Sequence, residues 1–206
     1  MKRILFAAIA VCGFTAANAQ DAGALGHYDP KPITKLQSDI SKIGVTLLLD
    51  NVICMTPGRT SGTAHFRSVD DYKKGQQVSE DGRSYRDRLF DFKVSSNRNF
   101  NVTVQPESPY FSGKGGYGAE AASANMPVSV LSWKLAHNGT GGAAATNATD
   151  WNPFGWQDNK PVVAQVINGG KRGYEKEFAL DMKANPGFDY NGGTYDVNVL
   201  VTATQL

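Results

Sequence analysis

Cysteine is nearly absent from this chain, with two in 206 residues, Cys12 and Cys54. Cys12 lies in an N-terminal stretch expected to be removed, so Cys54 is left alone and no internal disulfide can hold the fold. Stability must come from burial. Cys54 sits in the apolar run Val52-Ile53-Cys54-Met55 and is expected to be a buried small hydrophobe. Histidine is as scarce: His27, His65 and His137 are the only three. None lies in an H-x-H or HExxH pattern or beside a recognisable nucleophile, so neither a metal centre nor a hydrolytic triad is indicated. Net charge is also lacking, at +2 for 21 basic against 19 acidic residues. Without Lys2 and Arg3 the balance falls to about zero, and no basic cluster argues for nucleic acid.

What is present begins with an export signal. Lys2 and Arg3 precede an apolar or small stretch over 4–14, and Ala17-Asn18-Ala19 fits a small-x-small cleavage site before Gln20. Residues 1–19 are therefore read as a signal peptide, which implies a periplasmic, cell-surface or extracellular protein. The stretch is too short to span a bilayer, and no later segment is long enough either. Val11 is too bulky for Cys12 to serve as a lipid-attachment site. Residues 20–43 carry Gly23, Gly26, Pro30 and Pro32 with little periodicity. They read as a loose leader with room for an edge strand near 33–36 or a short helix near 34–41.

Residues 44–206 are read as one β domain, since period-two alternation recurs throughout. Residues 44–55 make the first strand, its Leu47-Leu48-Leu49 run suggesting burial on both faces. Phe90, Phe92 and Val94 alternate with charged residues, and after the turn cluster 95–99, Phe100, Val102 and Val104 alternate with polar ones. The pair reads as a β-hairpin. Residues 60–68 form a weaker strand with Ala64 and Phe66 inward. Residues 127–135 form a strand buried on both faces, and 161–167 a short one. In 177–183, Phe178, Leu180 and Met182 point in and Ala179, Asp181 and Lys183 out. The closing stretch places Tyr195, Val197, Val199 and Val201 on one face. Residues 70–82, 113–125 and 137–150 read as solvated or mobile loops. The tally is seven to nine strands without a helix of length. It points to an all-β, antiparallel, Ig-like β-sandwich, with a closed barrel as the alternative.

The chemistry is thin. Asp70-Asp71, Glu80-Asp81 and Asp150 fall in polar loops, although carboxylates can pair in space for glycoside hydrolysis. Asp158-Asn159 offers two oxygen ligands for calcium, a pattern common by chance. No cofactor is indicated. The candidate binding residues are Trp151, Phe154 and Trp156 in the segment WNPFGW. Exposed rings there could stack on a sugar or anchor a protein, while buried ones would plug the open end of a sandwich.

Three stretches carry a resemblance: Val69-Asp70-Asp71-Tyr72-Lys73-Lys74-Gly75, the Ser-Asn-Arg-x-Phe-x-Val core within 92–104, and the end from Asn185-Pro186-Gly187 through Gly193-Thr194-Tyr195 to Thr204. The set resembles small secreted β-sandwich surface proteins of Bacteroidota. The terminal strand is similar to that of WxL-type cell-wall-binding, pilus and spore-coat domains. Trp133-Lys134-Leu135 matches a W-x-L triplet, while the closing strand has no tryptophan. The resemblance implies a non-catalytic envelope or extracellular protein with a structural, assembly or adhesive role. Its expected partners are copies of itself or another envelope protein. The alternative is a carbohydrate- or peptidoglycan-binding module using the Trp151/Phe154/Trp156 cluster.

Overall fold

A computed structural model describes residues 46–80, 82, 89–116 and 121–206. The chain divides into two compact units, Met1–Thr46 and Leu47–Leu206. The signal peptide, the leader with its strand or helix, and Gly44 and Val45 of the first strand lie outside the described residues. The second unit is all-β, with fourteen strands among the described residues. The excess over seven to nine comes largely from two-residue strands, which are too short to leave a hydrophobic period in the sequence.

Two antiparallel sheets dominate. The first contains β1 (Ile53–Pro57), β3 (Phe90–Ser96), β12 (Gly173–Ala184), β6 (Leu131–Asn138) and β8 (Asn152–Pro153), in that order, while β2 (Gln76–Gln77) pairs with the far end of β12. The second runs β14 (Val199–Gln205), β4 (Phe100–Pro106), β11 (Ala164–Gly170) and β7 (Ala143–Ala144). One core joins them. Phe92 and Val94 of β3, Trp133 and Leu135 of β6, and Phe178 and Leu180 of β12 meet Phe100, Val102 and Val104 of β4 and Val166 and Ile167 of β11. The Phe92 and Phe178 rings stack with centroids 4.9 Å apart. On β3, β4, β6 and β12 these residues recur at every second position, so each strand turns one face to the core, while on β11 a register shift between Gln165 and Ile167 lets the adjacent Val166 and Ile167 both be buried.

The expected hairpin at 90–104 is an arch. β3 pairs with β1 and β12, β4 pairs with β14 and β11, and the two strands lie in opposite sheets. Their apolar faces alternate identically in either arrangement, so the pattern alone cannot separate them. The 97–99 turn is held by side chains: Ser96 Oγ donates to the Arg98 carbonyl at 2.8 Å. Gln205 Nε2 donates to Ser96 Oγ at 3.1 Å and to the Val52 carbonyl at 2.8 Å, tying the arch to both sheets.

The first strand is shorter than expected. β1 starts at Ile53, and Leu47, Leu48 and Leu49 are 79, 91 and 85% exposed. Ile53 and Met55 face inward on this edge strand, so the intervening Cys54 is exposed instead of buried. On β12 the outward residues Ala179 and Asp181 are also buried. Lys134 covers Asp181 there, its Nζ 3.5 Å from the carboxylate. On β6, Leu131, Trp133 and Leu135 are buried and alternate with half-buried neighbours, so only one face is fully covered.

Several expected loops have structure. Val69–Lys74 is a helix, α1, inside the segment read as loop. Its N-terminus is a reciprocal cap: the Asp71 N–H donates to Ser68 Oγ at 3.2 Å, and the Ser68 N–H donates to Asp71 Oδ2 at 2.9 Å. Residues 60–68 contribute only a bridge between Thr63 and Ser79. The Gly-rich 113–125 segment supplies β5 (Ser112–Gly116), which pairs with β13 (Gly193–Asp196) in a separate two-stranded sheet. The closing stretch is thus two strands, β13 and β14. The 137–150 segment is fastened by its own polar groups. Asn138 Oδ1 accepts from Thr140 Oγ1 at 2.6 Å, Asn138 Nδ2 donates to the Gly142 carbonyl at 3.0 Å, and Thr140 is fully buried.

Candidate functional site

The aromatic segment follows β6 along the sheet edge. Asn152 and Pro153 pair with Trp133 and Ser132, and the Phe154 N–H donates to the Leu131 carbonyl at 2.9 Å. That pairing turns Phe154 into the core, where it is 2% exposed. Trp151 is half-buried, and Lys134 Nζ stands 4.8 Å from its ring centroid. The Lys134 ammonium thus lies between a π face and the buried Asp181 carboxylate. Trp156 is half-buried and packs against the core from β9 (Trp156–Gln157), which pairs with β10 (Lys160–Pro161). Asp158 and Asn159 join these two strands with φ of 50° and 60°. Both central residues of such a two-residue turn need positive φ, which Asp and Asn tolerate. The turn accounts for this pair without an ion.

Beside the segment opens a cleft of about 410 Å³ between the two sheets. Trp133, Pro153, Ala145 and Ala164 supply apolar wall, and Thr146, Asn152 and Gln165 supply neutral hydrogen-bonding groups. Its volume is within the range of small-molecule sites, and no ionisable side chain lines it. Asn152 has one end committed: its Nδ2 donates to the Asn147 and Asp150 carbonyls at 2.8 and 2.7 Å. No local sequence signal marks this cleft, because the two-residue strands β7 and β8, which are too short to close the sandwich along this side, leave no hydrophobic period.

Two carboxylates do meet in a depression, on the outer face of the first sheet. Asp91 and Glu177 line it with Lys93 and His137, but its volume is only about 100 Å³, below what a sugar ring requires. Lys93 Nζ lies 3.1 Å from Glu175 and 3.6 Å from Glu177. The hydrogen bond and charge of Glu175 raise the Lys93 pKa, and Lys93 in turn lowers that of Glu175. The arrangement is an exposed ion-pair network, and both groups stay charged at neutral pH. Among the described residues no cluster of three His, Cys, Asp or Glu could hold a metal ion.

A second aromatic group was not singled out from the sequence. Phe66, Tyr72 on α1 and Phe188 lie in succession with centroid separations of 5.2 and 5.3 Å, the first pair tilted and the second stacked, and Phe188 remains exposed. Its members come from three separate segments, so no local motif marks it. No helix among the described residues is long and apolar enough to cross a membrane. Comparison of the chain with protein-family models and with curated proteins finds no match.

Proposed function

We propose that this is a non-catalytic secreted or cell-surface protein with a structural, assembly or adhesive role, exerted through its sheet edges. One observation carries the reading. Among the described residues β14 is a seven-residue edge strand of sequence VLVTATQ, without a charge, a proline or a bulge in its register against β4. Edge strands that must stay solitary are blunted by such devices, and β14 has none. It offers roughly 23 Å of straight backbone at ~3.3 Å per residue, enough to accept another strand. The neighbouring edge, β1, is blunted at one end by Pro57. A fold of the kind expected for small β-sandwich surface proteins of Bacteroidota fits this role, and the export signal read at 1–19 gives it a place. Sedimentation equilibrium over a concentration series tests the proposal. Association is expected for the wild type and should be lost in Thr202→Lys/Thr204→Lys, which charges the exposed side of the strand. A protein that stays monomeric throughout, and brings down no envelope component, would sink it.

A second reading is favoured by the cleft beside Trp133. A neutral wall of aromatic, amide and hydroxyl groups suits an uncharged glycan, with half-buried Trp151 and Trp156 close in sequence to contribute. Titration with peptidoglycan fragments and neutral oligosaccharides would then change tryptophan fluorescence. A flat response removes this reading and leaves the first untouched.

A further inference from the structure

The end of the sandwich at the 97–99 arch gathers the four most exposed large hydrophobic side chains among the described residues: Leu47, Leu48, Leu49 and Tyr174. Their placement is fixed by hydrogen bonds. Asn97 Nδ2 donates to the Asp50 carbonyl at 2.7 Å, and the Val52 N–H donates to Asn97 Oδ1 at 3.0 Å, which seats the chain just after the leucines on the arch. Gly173 pairs with Ser96, so Tyr174 follows directly beside it. The Arg172 N–H donates to Asn99 Oδ1 at 3.1 Å, bringing the β11–β12 turn to the same place. That turn and the arch carry Lys171, Arg172 and Arg98, all exposed. Among the described ion pairs none engages these three cations. The acidic side chains nearby are Asp50, which is exposed, and Glu175, which Lys93 holds at 3.1 Å.

Three consecutive leucines in water are costly, and what covers them is indicated by what surrounds them. We propose that this end docks peripherally on an anionic phospholipid surface. The leucines enter the acyl boundary, Tyr174 sits at headgroup level, and Arg98, Lys171 and Arg172 meet the lipid phosphates. A second copy is the less favourable cover, because apposing two such ends would set the same three cations against each other. The contact is shallow and reversible, since a few leucines are far short of a spanning segment. The inference goes beyond the assembly role, because it uses a different part of the surface from β14.

Vesicle flotation tests it, using equimolar phosphatidylglycerol and phosphatidylcholine against phosphatidylcholine alone. The full chain and the form beginning at Gln20 are both measured, so that binding by the apolar 4–14 stretch is separated out. Thermal melts check that the variants fold, as all six substituted side chains are exposed. The form from Gln20 should float with the anionic vesicles and bind neutral ones more weakly. Leu47→Ser/Leu48→Ser/Leu49→Ser should reduce partitioning at least ~10-fold. Arg98→Gln/Lys171→Gln/Arg172→Gln should lose the anionic preference, on the order of 100-fold at roughly fivefold per cation. Failure of the Gln20 form to float overturns the proposal, as does binding unchanged by the leucine substitutions. Self-association that those substitutions abolish, without lipid binding, also overturns it and assigns the surface to a second copy. Failure to float and leucine-independent binding leave the β14 test untouched, while self-association is assigned to the leucines or to β14 by which of the two sets of substitutions abolishes it.

Discussion

At the residue scale Asp181 is the one buried side chain among the described residues that carries a charge. It points to the outer side of β12 yet is 3% exposed, and Lys134 reaches over it from the adjacent strand at 3.5 Å. Replacing Lys134 by alanine would remove the ammonium 3.5 Å from a buried carboxylate and the cation over the Trp151 ring. Breaking a wholly buried pair costs roughly 3–5 kcal/mol, but the Lys134 side chain keeps a quarter of its surface in water. The expected loss for Lys134→Ala is therefore about 2 kcal/mol, measured by denaturant unfolding, with Lys134→Arg retaining most of it. A loss below ~0.5 kcal/mol would mean that solvent already screens the pair. The sequence showed Asp181 as one more outward residue of an alternating strand. Its burial depends on Lys134, which is 47 positions away in sequence and opposite it in register, a relation that no local pattern encodes.

The elements were legible to the degree that their signal is local. Alternation located β3, β4 and β12 because their inner residues are apolar at every second position, whereas β11 showed only as a short apolar run, its buried Val166 and Ile167 being adjacent. It could not tell an arch from a hairpin, since partner choice is a long-range matter. The leucine run misled for a related reason: hydrophobicity indicates a preference for burial, and residues 47–49 do not find it within this unit. Helix α1 was legible in principle, because Ser68 and Asp71 stand at capping-box spacing ahead of Tyr72. The cap also gives α1 a pH dependence. The Arg67 and Ser68 N–H groups donate to the Asp71 carboxylate, at 2.8 and 2.9 Å, and hold its pKa below the ordinary value. A carboxylate depressed in the folded state stabilises above the unfolded-state pKa, and that stabilisation is lost as pH falls through the folded value. Protection of the Arg67 and Ser68 amides, measured by NMR as exchange relative to the intrinsic rate at each pH, should thus stay high across neutral pH. It should fall only on acidification below the ordinary carboxylate range, and Asp71→Asn should show the low protection at every pH. Exchange that is insensitive to both changes would remove the cap from the account.

For the whole molecule, the class of fold followed from composition and periodicity: an all-β chain with too few cysteines for disulfides, held by one core between antiparallel sheets. The candidate site was less legible. Of the three aromatics singled out, Phe154 is in the core, while Trp151 and Trp156 keep part of their surface. The cleft beside them draws on Trp133, Ala145, Ala164 and Gln165, which come together only through the meeting of two sheets. What organises the functional account is the strand at the chain's end. β14 packs the partly buried Val199, Val201 and Ala203 against the core, and its outer edge is unpaired among the described residues. Hydrogen exchange at the amides of Val199–Gln205, compared between dilute and concentrated protein, addresses that edge directly. Protection of the solvent-facing β14 amides should rise with concentration while the central strand β12 stays unchanged. Rates at β14 that are identical across the concentration range would contradict assembly through this edge.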